Sequence, residues 1–158
     1  MLSDVSELFS QPVIAPAQDR RLTRRVVDVW TRAACGHFPS WKAMQEMTPD
    51  EDLDWMFAVD CEKSVGFPYF IFVGARIGKL ADVFLCGADE FGLSLLDKAT
   101  ADITAARERG APHFREETMV LCDGRRVMMR AVTAPLADDG QTVSHIVGAV
   151  NGRFAAAE

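Results

Sequence analysis

The last third of the chain constrains the fold most, because it predicts three strands joined by two tight turns. The apolar-rich segments are residues 113–122, 125–134 and 142–150. Asp123-Gly124 separates the first two, and Asp138-Asp139-Gly140 separates the last two. Such Asp-Gly pairs favour the turns that join neighbouring antiparallel strands. The sequence therefore predicts an antiparallel meander at this end of the chain.

Two further strands are predicted in the first half. Residues 69–74 are rich in aromatic and β-branched side chains, and residues 56–61 are apolar enough for a strand. Gly66 and Pro68 supply the turn between them.

Helices are predicted around these strands. Apolar residues recur at helical spacing over residues 22–34, and the helix ends near Gly36. Thr48 and Pro49 predict a short acidic helix with Thr48 as its N-cap. One longer helix is predicted from Ser94, which is followed by Asp97, to Gly110. This order of elements is typical of an α+β protein with an antiparallel sheet.

In their order and spacing, these pieces resemble the PAS superfamily, in particular a small family of stand-alone PAS-like proteins from alphaproteobacteria. The resemblance spans residues 22–150. The residues that carry it are Trp30, Arg32, Gly36, Pro39-Ser40, Thr48-Pro49, Phe70-Ile71-Phe72-Val73-Gly74, Asp123-Gly124-Arg125, Ala134-Pro135-Leu136, Asp138-Asp139-Gly140 and Ile146-Val147-Gly148-Ala149.

The resemblance implies an α+β fold: a PAS-like five-stranded antiparallel sheet with helices on one face and an N-terminal amphipathic helix. The domain is expected over residues 21–152, after a flexible lead-in of residues 1–20 and before a short tail of residues 153–158. The resemblance also implies ligand sensing or protein contacts as the function.

Charge excludes some classes of partner. The chain has 158 residues and a net charge of −6, whereas proteins that bind nucleic acids or anionic membranes usually carry a basic surface. A basic run at residues 19–25 is interpreted as a solvated helix face, with a docking surface as the alternative. No apolar run reaches the length of a membrane helix, and no export signal is visible. A cytoplasmic location is expected.

No catalytic or metal-binding pattern is present in the sequence. His37, His113 and His145 are scattered, so neither an enzyme nor a metal or cofactor site is predicted. A haem or metal ligand at His145 is weighed against a structural histidine, which is favoured. The cysteines at positions 35, 61, 86 and 122 lack paired spacing and are expected to be reduced thiols. Redox sensing or a flavin adduct at Cys61 or Cys86 is the less favoured alternative.

A pocket between the sheet and the helices is predicted from apolar residues. Phe70 and Phe72 are predicted to share one strand face and to line this pocket, together with Leu96 and Ile103 of the covering helix and Met129 of a later strand. A completely filled core is the favoured alternative, since aromatic and Met side chains pack efficiently.

Two functions remain open. In the first, the chain is a regulatory module that contacts a signalling protein, such as a histidine kinase or a cyclic-dinucleotide enzyme. In the second, it senses a small molecule bound between sheet and helix. A homodimer is expected through the stripe of Leu22, Val26, Val29 and Trp30, with packing of that stripe on its own sheet as the alternative.

Overall fold

The computed structural model describes residues 21–86 and 92–154. The predicted lead-in of residues 1–20 lies outside the described residues, as do residues 155–158 of the predicted tail. The helices are α1 (Leu22–Ala34), α2 (Trp41–Met47), α3 (Asp50–Leu53), a 3₁₀ helix (Ile77–Asp82), α4 (Leu95–Ala99) and α5 (Ile103–Arg109). The strands are β1 (Met56–Asp60), β2 (Tyr69–Val73), β3 (His113–Val120), β4 (Arg126–Leu136) and β5 (His145–Phe154).

The five strands form one antiparallel sheet in the order β2-β1-β5-β4-β3. The predicted α+β fold with a five-stranded antiparallel sheet is therefore confirmed. The meander turns are where the sequence placed them, and Gly124 has the positive φ of 89° that such a turn requires. Strand β5 continues through Phe154, so it includes two residues that were assigned to the tail.

Helices cover both faces of the sheet, so the expectation that they lie on one face is wrong. Asp102, just before α5, pairs with His113 of β3, whereas Arg24 of α1 lies over the ring of Phe114, the next residue of the same strand. Because consecutive strand residues point to opposite faces, α1 and α5 lie on opposite faces. We call them the α1 face and the α5 face.

Two local predictions differ from the structure. The helix expected from Ser94 to Gly110 is two helices, α4 and α5. Its start is correct, since Ser94 and Asp97 form a reciprocal capping box. Thr48 is not the N-cap of α3. It ends α2, where its hydroxyl donates to the carbonyl of Met44, and Pro49 occupies the N-cap position without a side-chain hydrogen bond.

Candidate functional site

The apolar stripe of α1 packs on the chain's own sheet. Leu22, Val26 and Val29 are buried, and the indole of Trp30 donates a hydrogen bond of 2.8 Å to the carbonyl of Pro135 in β4. Hydrogen bonds also join α1 to α3, because Arg25 donates two of them to the buried carboxylate of Asp52. The homodimer interface predicted at Leu22, Val26, Val29 and Trp30 is therefore wrong, since one subunit already uses these side chains.

The two aromatic residues expected to share a pocket wall lie on opposite faces of the sheet. Phe70 pairs with Val59, but Phe72 pairs with Ala58, because the register shifts at this point of β1. Phe70 contacts the edge of Phe57 on the α5 face, whereas Phe72 packs against Trp41 of α2, with ring centres 5.1 Å apart. The two phenylalanines cannot line one pocket together.

The α5 face is largely filled by Phe57. A Cβ on Gly148 would lie 2.1 Å from the Phe57 ring, so the ring occupies the space directly over this glycine of β5. Met129 is buried on the same face, and Leu96 and Ile103 are half-buried against the core. The favoured filled core agrees with this packing.

A narrow polar crevice remains between α5 and the sheet. His113, Asp102 and Thr133 line part of it, and it has no room for a water molecule. The Asp102 carboxylate lies 2.8 Å from Nε2 of His113, and Arg109 contacts the other ring nitrogen at 2.7 Å. The hydroxyl of Thr133 is buried and finds no hydrogen-bond partner among the described residues.

His145 has a structural environment. Its Nδ1 lies 2.8 Å from the hydroxyl of Ser144, and its Nε2 lies 3.6 Å from the carboxylate of Asp60. These contacts join the ends of β1 and β5. No group of three or more His, Cys, Asp or Glu side chains within the described ranges could hold a metal ion.

Two of the cysteines differ from expectation. Cys86 and Cys122 are joined in a disulfide, with their Cα atoms 4.9 Å apart, so the prediction that all four are reduced thiols is wrong. The cause lies in the fold, since Leu85 bridges Leu121 and brings the next residues together. Cys61 is a free thiol, and its pKa is raised by burial, an effect that the positive charge of Arg107 partly offsets.

An open groove of about 250 Å³ lies between α1 and β3 and was not predicted. We call it the arginine groove, and four arginines face one glutamate among its lining residues. The lining residues are Arg21, Thr23, Arg24, Phe114, Arg115, Glu116, Arg130 and Ala131. Its aromatic floor is Phe114, and the guanidinium of Arg24 lies 5.6 Å from the centre of that ring. In the sequence, the basic run at residues 19–25 was the only sign of this groove.

Exposed apolar residues on β2 and in the segment just before it were also missed. We call them the β2 edge patch, and they are Val65, Phe67, Tyr69, Ile71 and Val73. The signal that could have revealed it is the absence of charge from residues 64–75.

Comparisons with known proteins find similar solved structures, while no family profile matches the chain and no curated protein is significantly similar to it. The PAS domain of BvgS from Bordetella pertussis is 16% identical, with a TM-score of 0.39, over 63% of this chain and 74% of that one. The LOV domain of the blue-light photoreceptor Aureochrome1 is 14% identical, with a TM-score of 0.41, over 65% and 82%. The LOV protein of Rhodobacter sphaeroides is 10% identical, with a TM-score of 0.41, over 85% and 68%. These similarities are distant, and membership of the small stand-alone family stays a prediction.

Proposed function

We propose that this chain is a regulatory module of the PAS type that acts without catalysis, by binding another signalling protein such as a histidine kinase or a cyclic-dinucleotide enzyme. The observation that carries the proposal is the arginine groove, a basic surface on a chain with a net charge of −6. Complementary charge steers partners together and excludes wrong ones. An acidic segment of the partner would therefore dock in this groove.

The groove combines charge with an aromatic anchor. Glu116 accepts a hydrogen bond of 2.6 Å from Arg130 and lies 3.9 Å from Arg21, so it pairs with two of the four arginines. Arg24 is exposed above the ring of Phe114, which is itself partly exposed. Aromatic and arginine side chains are the residue types that most often dominate the free energy of protein association.

The test is a charge reversal with a matched control. A fluorescently labelled peptide of alternating Glu and Leu residues serves as the probe, and its anisotropy is measured during titration. We expect Arg24→Glu to weaken binding about tenfold or more, because it places a repulsive charge in the groove. Arg32→Glu makes the same charge reversal at an exposed position of the same helix that lies outside the groove. It should change binding little. Equal losses in the two variants, or no binding to wild type, would contradict the proposal.

A small-molecule sensor is the second candidate, and the buried hydroxyl of Thr133 favours it. A buried polar group without a partner is costly, and a ligand in the adjoining crevice could satisfy it. The crevice would have to widen on binding. Native mass spectrometry of the purified protein distinguishes the candidates, since a stoichiometric small molecule would support the sensor.

The predicted cytoplasmic location stays a prediction. None of the helices in the described part of the chain has the length and apolar character needed to cross a membrane. The Cys86–Cys122 disulfide weighs against a cytoplasmic location, because such bonds persist chiefly in oxidising compartments.

A further inference from the structure

We propose that the arginine groove holds a phosphoryl group, carried by a side chain of the partner segment, at the N-terminal end of α1. This rests on the function proposed above and specifies the chemistry of the segment that docks there. The position of the groove is the starting point. Arg21, Thr23 and Arg24 line it, and they are the N-cap and the second and third residues of α1. The groove therefore reaches the end of the helix.

Among the described residues, no side chain caps the N-terminal end of α1. Arg25 is the first residue whose amide bonds back along the helix, to the carbonyl of Arg21 at 3.0 Å. The amides of Leu22, Thr23 and Arg24 thus have no acceptor within the helix. The first turn contains no acidic residue, and the Arg21 side chain makes no capping hydrogen bond. Helix ends of this kind bind phosphate, because their free amides and their dipole both favour an anion.

The hydroxyl of Thr23 is a second observation, independent of the helix end. Thr23 is only 6% exposed and lines the groove, and none of the described residues forms a hydrogen bond with its hydroxyl. A buried hydroxyl without a partner is destabilising, whereas a ligand oxygen in the groove would satisfy it. Thr23 therefore marks the part of the groove where an acceptor oxygen would bind.

The charge of the groove matches that of one phosphoryl group. Arg115 contributes little, because its guanidinium contacts Glu117 and the carbonyl of Lys98 on the other face of the sheet. The other three arginines share the groove with Glu116, which leaves an excess of two positive charges. A phosphorylated side chain carries about 1.5 to 2 negative charges at pH 7. One such group neutralises the groove, whereas a single carboxylate does not.

Arg24 is the arginine best placed to bind the phosphoryl oxygens. Glu116 pairs with Arg21 and Arg130. No described carboxylate pairs with Arg24, whose guanidinium lies over the ring of Phe114. A planar guanidinium donates two parallel hydrogen bonds to the oxygens of a phosphoryl group. Arg24 would supply these bonds from one side and the end of α1 from the other.

The size of the groove indicates that the phosphoryl group belongs to a larger molecule. The groove has a volume of about 250 Å³, which is much larger than one phosphate ion, and the partly exposed ring of Phe114 lines the same space. An apolar side chain next to the phosphorylated one would contact this ring. The expected occupant is therefore a phosphorylated segment rather than free phosphate.

The first experiment compares two labelled peptides by fluorescence anisotropy. One has alternating Glu and Leu residues, and the other has phosphoserine in place of its central Glu. We expect the phosphopeptide to bind the wild type about tenfold more tightly, because its oxygens accept additional charge-assisted hydrogen bonds. Inorganic phosphate, added as a competitor, should bind at least about tenfold more weakly than the phosphopeptide, since it lacks the contacts of the segment.

Two matched valine substitutions test the position of the phosphoryl group. Thr23→Val removes the hydroxyl but keeps the shape of the side chain, so it should abolish most of the preference and change binding of the unmodified peptide little. Thr31→Val is the control, because Thr31 is exposed on the same helix outside the groove, where its hydroxyl donates to the carbonyl of Val27. It should retain the full preference. Circular dichroism verifies that both variants are folded.

Nuclear magnetic resonance of the wild type provides a measurement that needs no variant. The amide signals of Thr23 and Arg24 should shift further with the phosphopeptide than with the unmodified peptide. Equal affinities, equal shifts, or a preference that Thr23→Val leaves intact would overturn this inference but not the function proposed above. Inorganic phosphate that binds as tightly as the phosphopeptide would overturn the assignment to a partner segment. Failure of both peptides to bind would contradict the proposed function and this inference together.

Discussion

The two edges of the sheet are built in opposite ways. The outer strand β3 carries charge, and its glutamates form ion pairs with Lys98 and Arg130, residues of neighbouring elements. The β2 strand at the other edge carries none. Charged side chains on an edge discourage the addition of another strand, so β3 is protected where β2 is open. The difference leaves one edge of the sheet apolar and the other edge charged.

The largest expected difference between the edges comes from the disulfide, which ties the chain just after β3 to an earlier segment. Replacing Cys86 and Cys122 by alanine should lower the free energy of unfolding by about 3–4 kcal/mol, because the bond closes a loop of 36 residues. Urea unfolding of the variant and of the oxidised and reduced wild type measures this. Reducing the disulfide should lower the free energy of unfolding of the wild type, whereas a reductant should not affect the alanine variant. Equal free energies of unfolding for the variant and the oxidised wild type would contradict this prediction.

A smaller difference is expected when one aromatic residue of each edge strand is removed. Phe72→Ala should cost about 2–3 kcal/mol, somewhat less than a fully buried phenylalanine, because its ring is half-buried against Trp41. Phe114→Ala should cost less than about 1 kcal/mol, since Phe114 is 46% exposed. Chemical unfolding of both variants provides the measurement. Equal costs would show that β2 is packed no more firmly than β3.

The smallest effect concerns the thiol of Cys61, which follows β1 beside the open edge. Burial raises its pKa, and the thiolate is the reactive form, so Cys61 should be alkylated at least about tenfold more slowly than the exposed Cys35 at neutral pH. Since the folded pKa is above the unfolded value, this group's contribution to stability is complete below the unfolded pKa. It is lost as the pH rises through the folded pKa, in the alkaline range.

Arg107→Gln is the control for this thiol. It removes a nearby positive charge that favours the thiolate, so it should slow alkylation further. Mass spectrometry of timed samples gives both rates. Similar rates for Cys61 and Cys35 in the wild type would indicate frequent local opening beside β2.

Local chemistry explains which parts of the fold could be predicted. The turn at Gly124 and the helix start at Ser94 depend on residues a few positions apart, and both are in place. The break between α4 and α5 was missed because apolar residues keep helical spacing across it, from Leu96 to Ile103.

The site was less predictable, because it depends on contacts between distant residues. A register shift opposite Ala58 and Val59 decides the faces of Phe70 and Phe72, and nothing in residues 69–74 reveals it. Helical spacing shows that α1 has an apolar stripe, but not whether its own sheet or a second copy covers it. The arginine groove likewise joins Arg24 to Phe114, which is 90 positions later in the sequence.

The close contact between Phe57 and Gly148 has a consequence for how this sequence can diverge. The ring fills the volume that any side chain at position 148 would need. Positions 57 and 148, which lie opposite each other on β1 and β5, therefore cannot vary separately. We expect descendants of this chain to inherit both residues together, or to exchange both. A larger residue at position 148 would accompany a smaller one at position 57.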